Sequence, residues 1–143
     1  MKEPMVRGIV LRESLVDGAL PMPMSATVVR RYPYLLDGRT PVEVVELATT
    51  RDRTLSVAIQ LTQALLSERF YAHLVDDSRM YVCFPNCLVV VHRSDDHSVR
   101  QAQEIGARFG IPARQMRFAE MFDNDHPDAV APVNGGREAA WTA

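Results

Sequence analysis

Apolar residues recur with the spacing of strands and helices between positions 41 and 93. Residues 41–48 (PVEVVELA) are rich in valine and predict a strand. A helix is predicted to follow, because the next apolar positions share one helical face: Leu55, Ala58, Ile59, Thr62, Leu65 and Leu66. The period then changes to two, which predicts a meander of three strands over residues 70–75, 79–84 and 87–93.

A second predicted helix has the clearest boundaries in the chain. Ser94, Asp95 and Asp96 supply an N-cap and negative charge for its first turn. Gly110 and Pro112 mark its end, since glycine favours the left-handed cap position and proline bars continuation. The predicted buried stripe contains Val99, Ala102, Gly106 and Phe109.

The remaining segments have weaker patterns. Residues 6–11 and 27–36 predict two further strands, and the loop over 17–25 between them contains Gly18, Pro21 and Pro23. Residues 115–122 fit a closing strand or another helical turn equally well. Prolines and a Gly-Gly pair after position 125 predict an irregular tail. The organisation expected is therefore a single domain over residues 1–124 and a mobile tail over 125–143.

Composition restricts the class of protein. A chain of 143 residues with a charged fraction of 24% is typical of one globular domain. The net charge of −2 argues against a strongly basic nucleic-acid binder. No apolar run approaches the ~20 residues that cross a bilayer, and two cysteines are too few for a disulfide framework. We therefore expect a cytoplasmic protein, and the near-absence of lysine is typical of a GC-rich bacterial genome.

The order of the elements predicts an α+β fold in which two helices pack on one face of an antiparallel sheet. From position 41 onward, the order of strand, helix, strands and helix resembles the ferredoxin-like architecture. The resemblance concerns element order alone, and folds of this kind host many unrelated functions.

The register of the meander sorts its side chains into two faces. A two-residue loop at Pro85 and Asn86 pairs Cys83 with Leu88, and a three-residue loop over 76–78 pairs His73 with Tyr81. One face is then entirely apolar. The opposite, mixed face combines aromatic, polar and apolar side chains: Tyr71, His73, Tyr81, Cys83, Leu88, Val90 and His92. If this loop contained two residues instead of three, Tyr71 and His73 would belong to the apolar face.

Three interpretations of the mixed face remain open. The N-terminal segment could fold over it, two copies could pack sheet against sheet in a homodimer, or the face could line a ligand cavity. The expected function is that of a small-molecule-binding or accessory protein, as a homodimer. The alternatives are a small metal-independent enzyme and a protein-interaction module.

The candidate chemistry is limited to a few side chains. His73 with Tyr71 or Tyr81 could transfer protons, since histidine titrates near neutral pH and tyrosine can donate to an oxyanion. Arg69 could hold an anionic group, and the other candidate ligand-binding residues are His92, Glu46 and Cys83.

A metal site is disfavoured by the predicted register. His73 and His92 lie two strands and two residues apart, or ~12 Å, which is too far for one zinc ion. Cys83 and Cys87 point to opposite faces. The acidic stretch over 123–128 lacks the glycine and distal glutamate of a calcium loop. No cofactor is therefore expected.

Overall fold

A computed structural model describes residues 5–36, 38–66 and 70–127. Within them the chain forms six strands and three α-helices, in the order β1-β2-β3-α1-β4-β5-β6-α2-α3. The strands are β1 (Met5–Leu11), β2 (Thr27–Leu36), β3 (Thr40–Thr50), β4 (Ala72–Val75), β5 (Arg79–Phe84) and β6 (Cys87–His92). The helices are α1 (Thr54–Ala64), α2 (Asp96–Ala107) and α3 (Phe118–Met121).

The strands form one antiparallel sheet in the spatial order β2-β3-β1-β4-β5-β6. This confirms an α+β fold with a β-meander at β4–β6. From β3 onward, three strands separate α1 from α2 and no strand follows α2 among the described residues, whereas the ferredoxin-like order has two strands between its helices and a closing strand; the ferredoxin-like order is therefore not confirmed. Residues 113–121 form a 3-10 turn and the short helix α3, which settles the open alternative at 115–122 in favour of helical turns.

The two loops of the meander have different outcomes. Phe84 pairs with Cys87 around the two-residue loop Pro85–Asn86, as predicted, and Asn86 has a positive φ of 56°. The expected three-residue loop over 76–78 is wrong. The Asp76 backbone N–H donates to the Arg79 carbonyl (2.9 Å), which leaves only Asp77 and Ser78 in the loop. His73 consequently pairs with Val82 instead of Tyr81, and every β4 side chain changes face.

The helices lie on opposite faces of the sheet, which corrects the expectation that both would pack on one face. Helix α1 packs with Cys83 and Leu74 on what we call the α1 face. Helices α2 and α3 pack with Val82 and Phe84 on the α2 face. The physical reason is that successive β5 residues are apolar, so both faces of the strand need cover from water.

Helix α1 forms where predicted, but the face that it buries differs from the predicted one. Its buried positions are Thr54, Val57, Ala58, Leu61 and Thr62, whereas Leu55 and Ile59 are 52% and 43% exposed. Within the helix, the predicted and the observed buried faces therefore share only Ala58 and Thr62. Helix α2 begins as predicted, with the Asp95 side chain accepting hydrogen bonds from the backbone N–H groups of His97 and Ser98.

Candidate functional site

His73 is a buried histidine on the α2 face, and its exposed fraction is only 2%. It lies in β4, where it pairs with Ile9 of β1 and Val82 of β5. Its Nε2 atom has no hydrogen-bond partner in the described part of the chain. Burial lowers the pKa of His73 to about 4; Arg7 and His126 act in the same direction, and Asp125 opposes them. His73 is therefore neutral at pH 7.

A cavity of about 60 Å³ borders the His73 ring, and we call it the His73 cavity. Its apolar lining includes Ile9, Leu11, Leu36, Phe70 and Met121, and its polar lining includes Tyr34, Tyr71, Gln115, Asp125 and His126. The walls thus come from β1, β2, β4 with the two residues before it, and the segment after α2. An unpartnered buried nitrogen beside such a space is uncommon, because buried polar groups are almost always satisfied.

Tyr71 forms the wall between His73 and α3. Its hydroxyl donates to the Gln115 carbonyl, and its ring contacts Phe118 edge to face at 5.4 Å between centroids. The Tyr71 and His73 ring centroids are 6.4 Å apart. The segment after α2 therefore helps to position Tyr71, in addition to the adjoining strand β4.

Residues 125–127 close the cavity on the side of β2. The His126 ring stacks on Tyr34, with centroids 4.3 Å apart and an interplanar angle of 27°. The His126 Nε2 atom lies 2.5 Å from the Tyr32 hydroxyl, and burial raises the pKa of that hydroxyl. Asp125 forms an ion pair with Arg7 at 2.8 Å. These residues were expected to start a mobile tail, yet they dock on the sheet; residues 128–143 lie outside the described residues.

The sequence did not identify Tyr32, Tyr34 or His126 as neighbours of His73. Tyr32 and Tyr34 alternate in β2 and face the same side, which is a signal visible in the sequence. Their contact with His126 was not visible, because it joins positions more than 90 residues apart. The acidic stretch over 123–128 supplies the two docked side chains, Asp125 and His126, and Asn124 Oδ1 accepts a hydrogen bond from the His126 backbone N–H at 3.0 Å.

The other predicted site residues are not gathered at this cavity. Tyr81 and Cys83 belong to the α1 face, and Cys83 is fully buried, which raises the pKa of its thiol. His92 is exposed at the end of β6. Glu46 pairs with Arg30 at 2.7 Å. Arg69 lies outside the described residues. The predicted mixed face is therefore split, and only Tyr71 and His73 meet at the cavity.

The described residues do not form a metal cluster, and their cysteines are not paired. Residues 5–36, 38–66 and 70–127 contain no group of three or more His, Cys, Asp or Glu side chains that could hold a metal ion. Cys83 and Cys87 are free thiols, and they contact the cores on opposite sheet faces, as the β5–β6 register predicted.

None of the helices in the described ranges is long and apolar enough to cross a membrane. The chain matches no protein-family model, no curated protein and no solved structure.

Proposed function

We propose that this protein binds a small hydroxyl-bearing molecule in the His73 cavity and acts as a binding or accessory protein. The observation that carries the proposal is the buried His73 Nε2 atom, which borders the cavity without a hydrogen-bond partner in the described residues. A buried polar atom left unsatisfied costs roughly 1–3 kcal/mol, and a ligand that completes its hydrogen bond would recover much of that cost.

The size and polarity of the cavity favour this ligand class. An engineered apolar cavity of about 150 Å³ holds benzene, so a cavity of about 60 Å³ has room for roughly two to four non-hydrogen atoms. A hydroxyl group can donate to Nε2 or accept from it, and so it suits either tautomer of a neutral imidazole. A charged ligand would lose hydration without a matching charge on His73.

Binding is better supported than acid–base catalysis. His73 has a pKa of about 4, so its conjugate acid is almost absent at pH 7 and its neutral form is a weak base. Tyr71, the candidate proton donor, already donates its hydroxyl hydrogen to Gln115. Tyr81 lies on the opposite face, so a pair with His73 is no longer a candidate.

We also place the protein in the cytoplasm. The support is the cysteine content: two cysteines are too few for the disulfide framework of a small secreted domain.

The proposal is tested by titrating ¹⁵N-histidine-labelled protein with ethanol and following the imidazole nitrogens by NMR. The His73 Nε2 shift is expected to change and saturate, whereas the exposed His92 and His97 serve as internal controls. A His73→Phe variant keeps a ring and removes the nitrogen, so it should lose ethanol binding as monitored by the Met121 methyl signal. Absence of saturation at His73 with ethanol, or unchanged binding by His73→Phe, would refute the proposal.

A further inference from the structure

The two edges of the sheet differ in their protection against a further strand. On β2, Pro33 pairs with Glu43, whose N–H points away from β2 and donates to the Glu13 carboxylate at 3.0 Å. In an antiparallel pair of this kind the Pro33 nitrogen points to the open edge, where it offers no donor. Arg30 and Arg31 are exposed on the same strand. Proline and charge are the usual means of blocking an edge, so β2 is protected.

The β6 edge has neither a proline nor a charged residue. Its sequence, CLVVVH, contains no proline and no Asp, Glu, Lys or Arg. The Arg93 N–H donates to the Ser78 carbonyl at 2.9 Å, so the alternate residues 91, 89 and 87 also direct their backbone groups to β5. Leu88, Val90 and His92 therefore direct theirs to the open edge.

The start of α2 occupies one of these three positions. The His92 N–H donates to Ser98 Oγ at 3.0 Å, and its carbonyl accepts from the Asp95 N–H at 3.1 Å. No backbone hydrogen bond among residues 5–36, 38–66 and 70–127 uses the outward N–H and C=O groups of Leu88 and Val90, so both residues can accept another strand. Both side chains are half-buried on the α1 face.

One side of α1 continues this surface. The opposite side of the helix faces the loop before β2, because Gln60 Nε2 donates to the Pro23 carbonyl at 2.7 Å. Helical spacing places Leu55 and Ile59 roughly 140° and 100° around α1 from Gln60, away from that loop and so on the side of the β6 edge, and they are 52% and 43% exposed. We define the β6 edge surface as Leu55, Ile59, Leu88 and Val90. It combines apolar side chains with backbone groups that have no partner in the described part of the chain, which is the composition expected of a buried interface core.

We propose that the β6 edge surface pairs with the same surface of a second copy of this chain. With a two-fold axis at Val89, the Leu88 N–H and C=O meet those of Val90 of the partner subunit, and the reverse pair forms by symmetry. Four main-chain hydrogen bonds then join two sheets into one of twelve strands. Both α1 helices lie on the same face of that sheet, where Leu55 and Ile59 can contact their copies.

The absence of charge favours a second copy at this edge, whereas the proline of β2 disfavours one at the other. The β6 edge surface has no charged side chain, so two copies meet without like charges in contact. The same operation at β2 would set Pro33, which offers no donor, at the seam, together with Arg30 and Arg31, which are already ion-paired with Glu46 and Glu43. An acidic or basic partner would find no complementary charge at β6. This interface does not depend on ligand binding at His73.

The test is the mass of the purified chain by sedimentation equilibrium over a range of concentrations. We expect twice the 16.1 kDa of one chain. Ile59→Glu should weaken the dimer at least about tenfold, because it places like charges across the axis. Leu35→Glu is the matched control: Leu35 is 52% exposed on the protected β2 edge, so its substitution should leave the dimer intact.

Amide exchange of the wild-type protein gives a second measurement that needs no variant. The Leu88 and Val90 amides should exchange more slowly as protein concentration rises, whereas the His92 amide is protected at every concentration. A monomer at all concentrations, a dimer that Leu35→Glu disrupts and Ile59→Glu does not, or concentration-independent exchange at Leu88 and Val90 would each overturn the proposal. A complex with a different protein at this surface would overturn it as well.

Discussion

The burial of His73 predicts that part of the stability of the fold depends on pH. Its pKa is lowered from 6.5 to about 4, so the unfolded chain binds a proton at a pH where the folded chain does not. Stability contributed by a neutral buried histidine is fully present above pH 6.5 and is lost as pH falls from 6.5 to 4. At about 1.4 kcal/mol for each tenfold change in proton affinity, the full loss is ~3 kcal/mol.

The measurement is urea unfolding followed by far-UV circular dichroism between pH 7.5 and pH 5. Across this range the His73 contribution should fall by about 2 kcal/mol. His73→Gln removes the titrating group, so the difference in unfolding free energy between wild type and variant isolates it from the carboxylates that also titrate. His97→Gln is the matched control, since His97 is exposed on α2. If the difference between wild type and His73→Gln is the same at pH 7.5 and pH 5, the assignment of His73 as a buried neutral group is wrong.

Three further predictions concern packing, capping and thiol reactivity. Gly106→Ala places a Cβ atom 2.3 Å from the sulfur of buried Met116, so urea unfolding should show a loss of ~1–3 kcal/mol; an unchanged midpoint would contradict this packing. Asp95→Ala removes the α2 N-cap and should cost ~0.5–2 kcal/mol in the same assay, whereas a loss of less than a few tenths would contradict the cap. Cys87 should react with Ellman's reagent in the native protein and Cys83 only after unfolding, because burial raises the pKa of the Cys83 thiol; equal native rates would refute this.

Local signals allowed the sequence to predict several elements correctly. The Asp95 cap of α2 and the Pro85–Asn86 turn depend on side chains that act on neighbouring backbone, so short stretches of sequence specify them. The strands and α1 follow from periodicity in the same way. These features need no knowledge of the rest of the chain.

The register of β4 could not be predicted because both outcomes satisfy the local pattern. Asp76 is a residue type that is common inside loops, but here it directly precedes the loop. Its Oδ1 atom accepts hydrogen bonds from the Ser78 and Arg79 N–H groups, both at 2.8 Å. A change of one loop residue moves His73 to the other face, and both faces of the meander are apolar enough to accept it. The contacts that decide the register come from β1 and α3, which are distant in the sequence.

The candidate site was only partly predictable for the same reason. Tyr71 and His73 were singled out by residue type and by their position in a strand. Their surroundings depend on Gln115 and His126, which approach from beyond α2. The hydrophobic pattern of β4 does not indicate which distant segment packs over it.

The position of β1 at the centre of the sheet has a consequence for how the chain acquires its structure. Met5–Leu11 is the first strand in the described sequence, yet it joins β3 to β4 and so connects the β2–β3 hairpin to the β4–β6 meander. The two parts contain mainly local pairings that can form quickly, whereas the β1–β4 pairing joins the positions of the sheet that lie farthest apart in the sequence and is expected to form more slowly. During synthesis, β1 leaves the ribosome long before its second neighbour exists. We therefore expect the β1–β4 pairing to form last, which leaves the edge of β1 and the short edge of β4 without a neighbour until then.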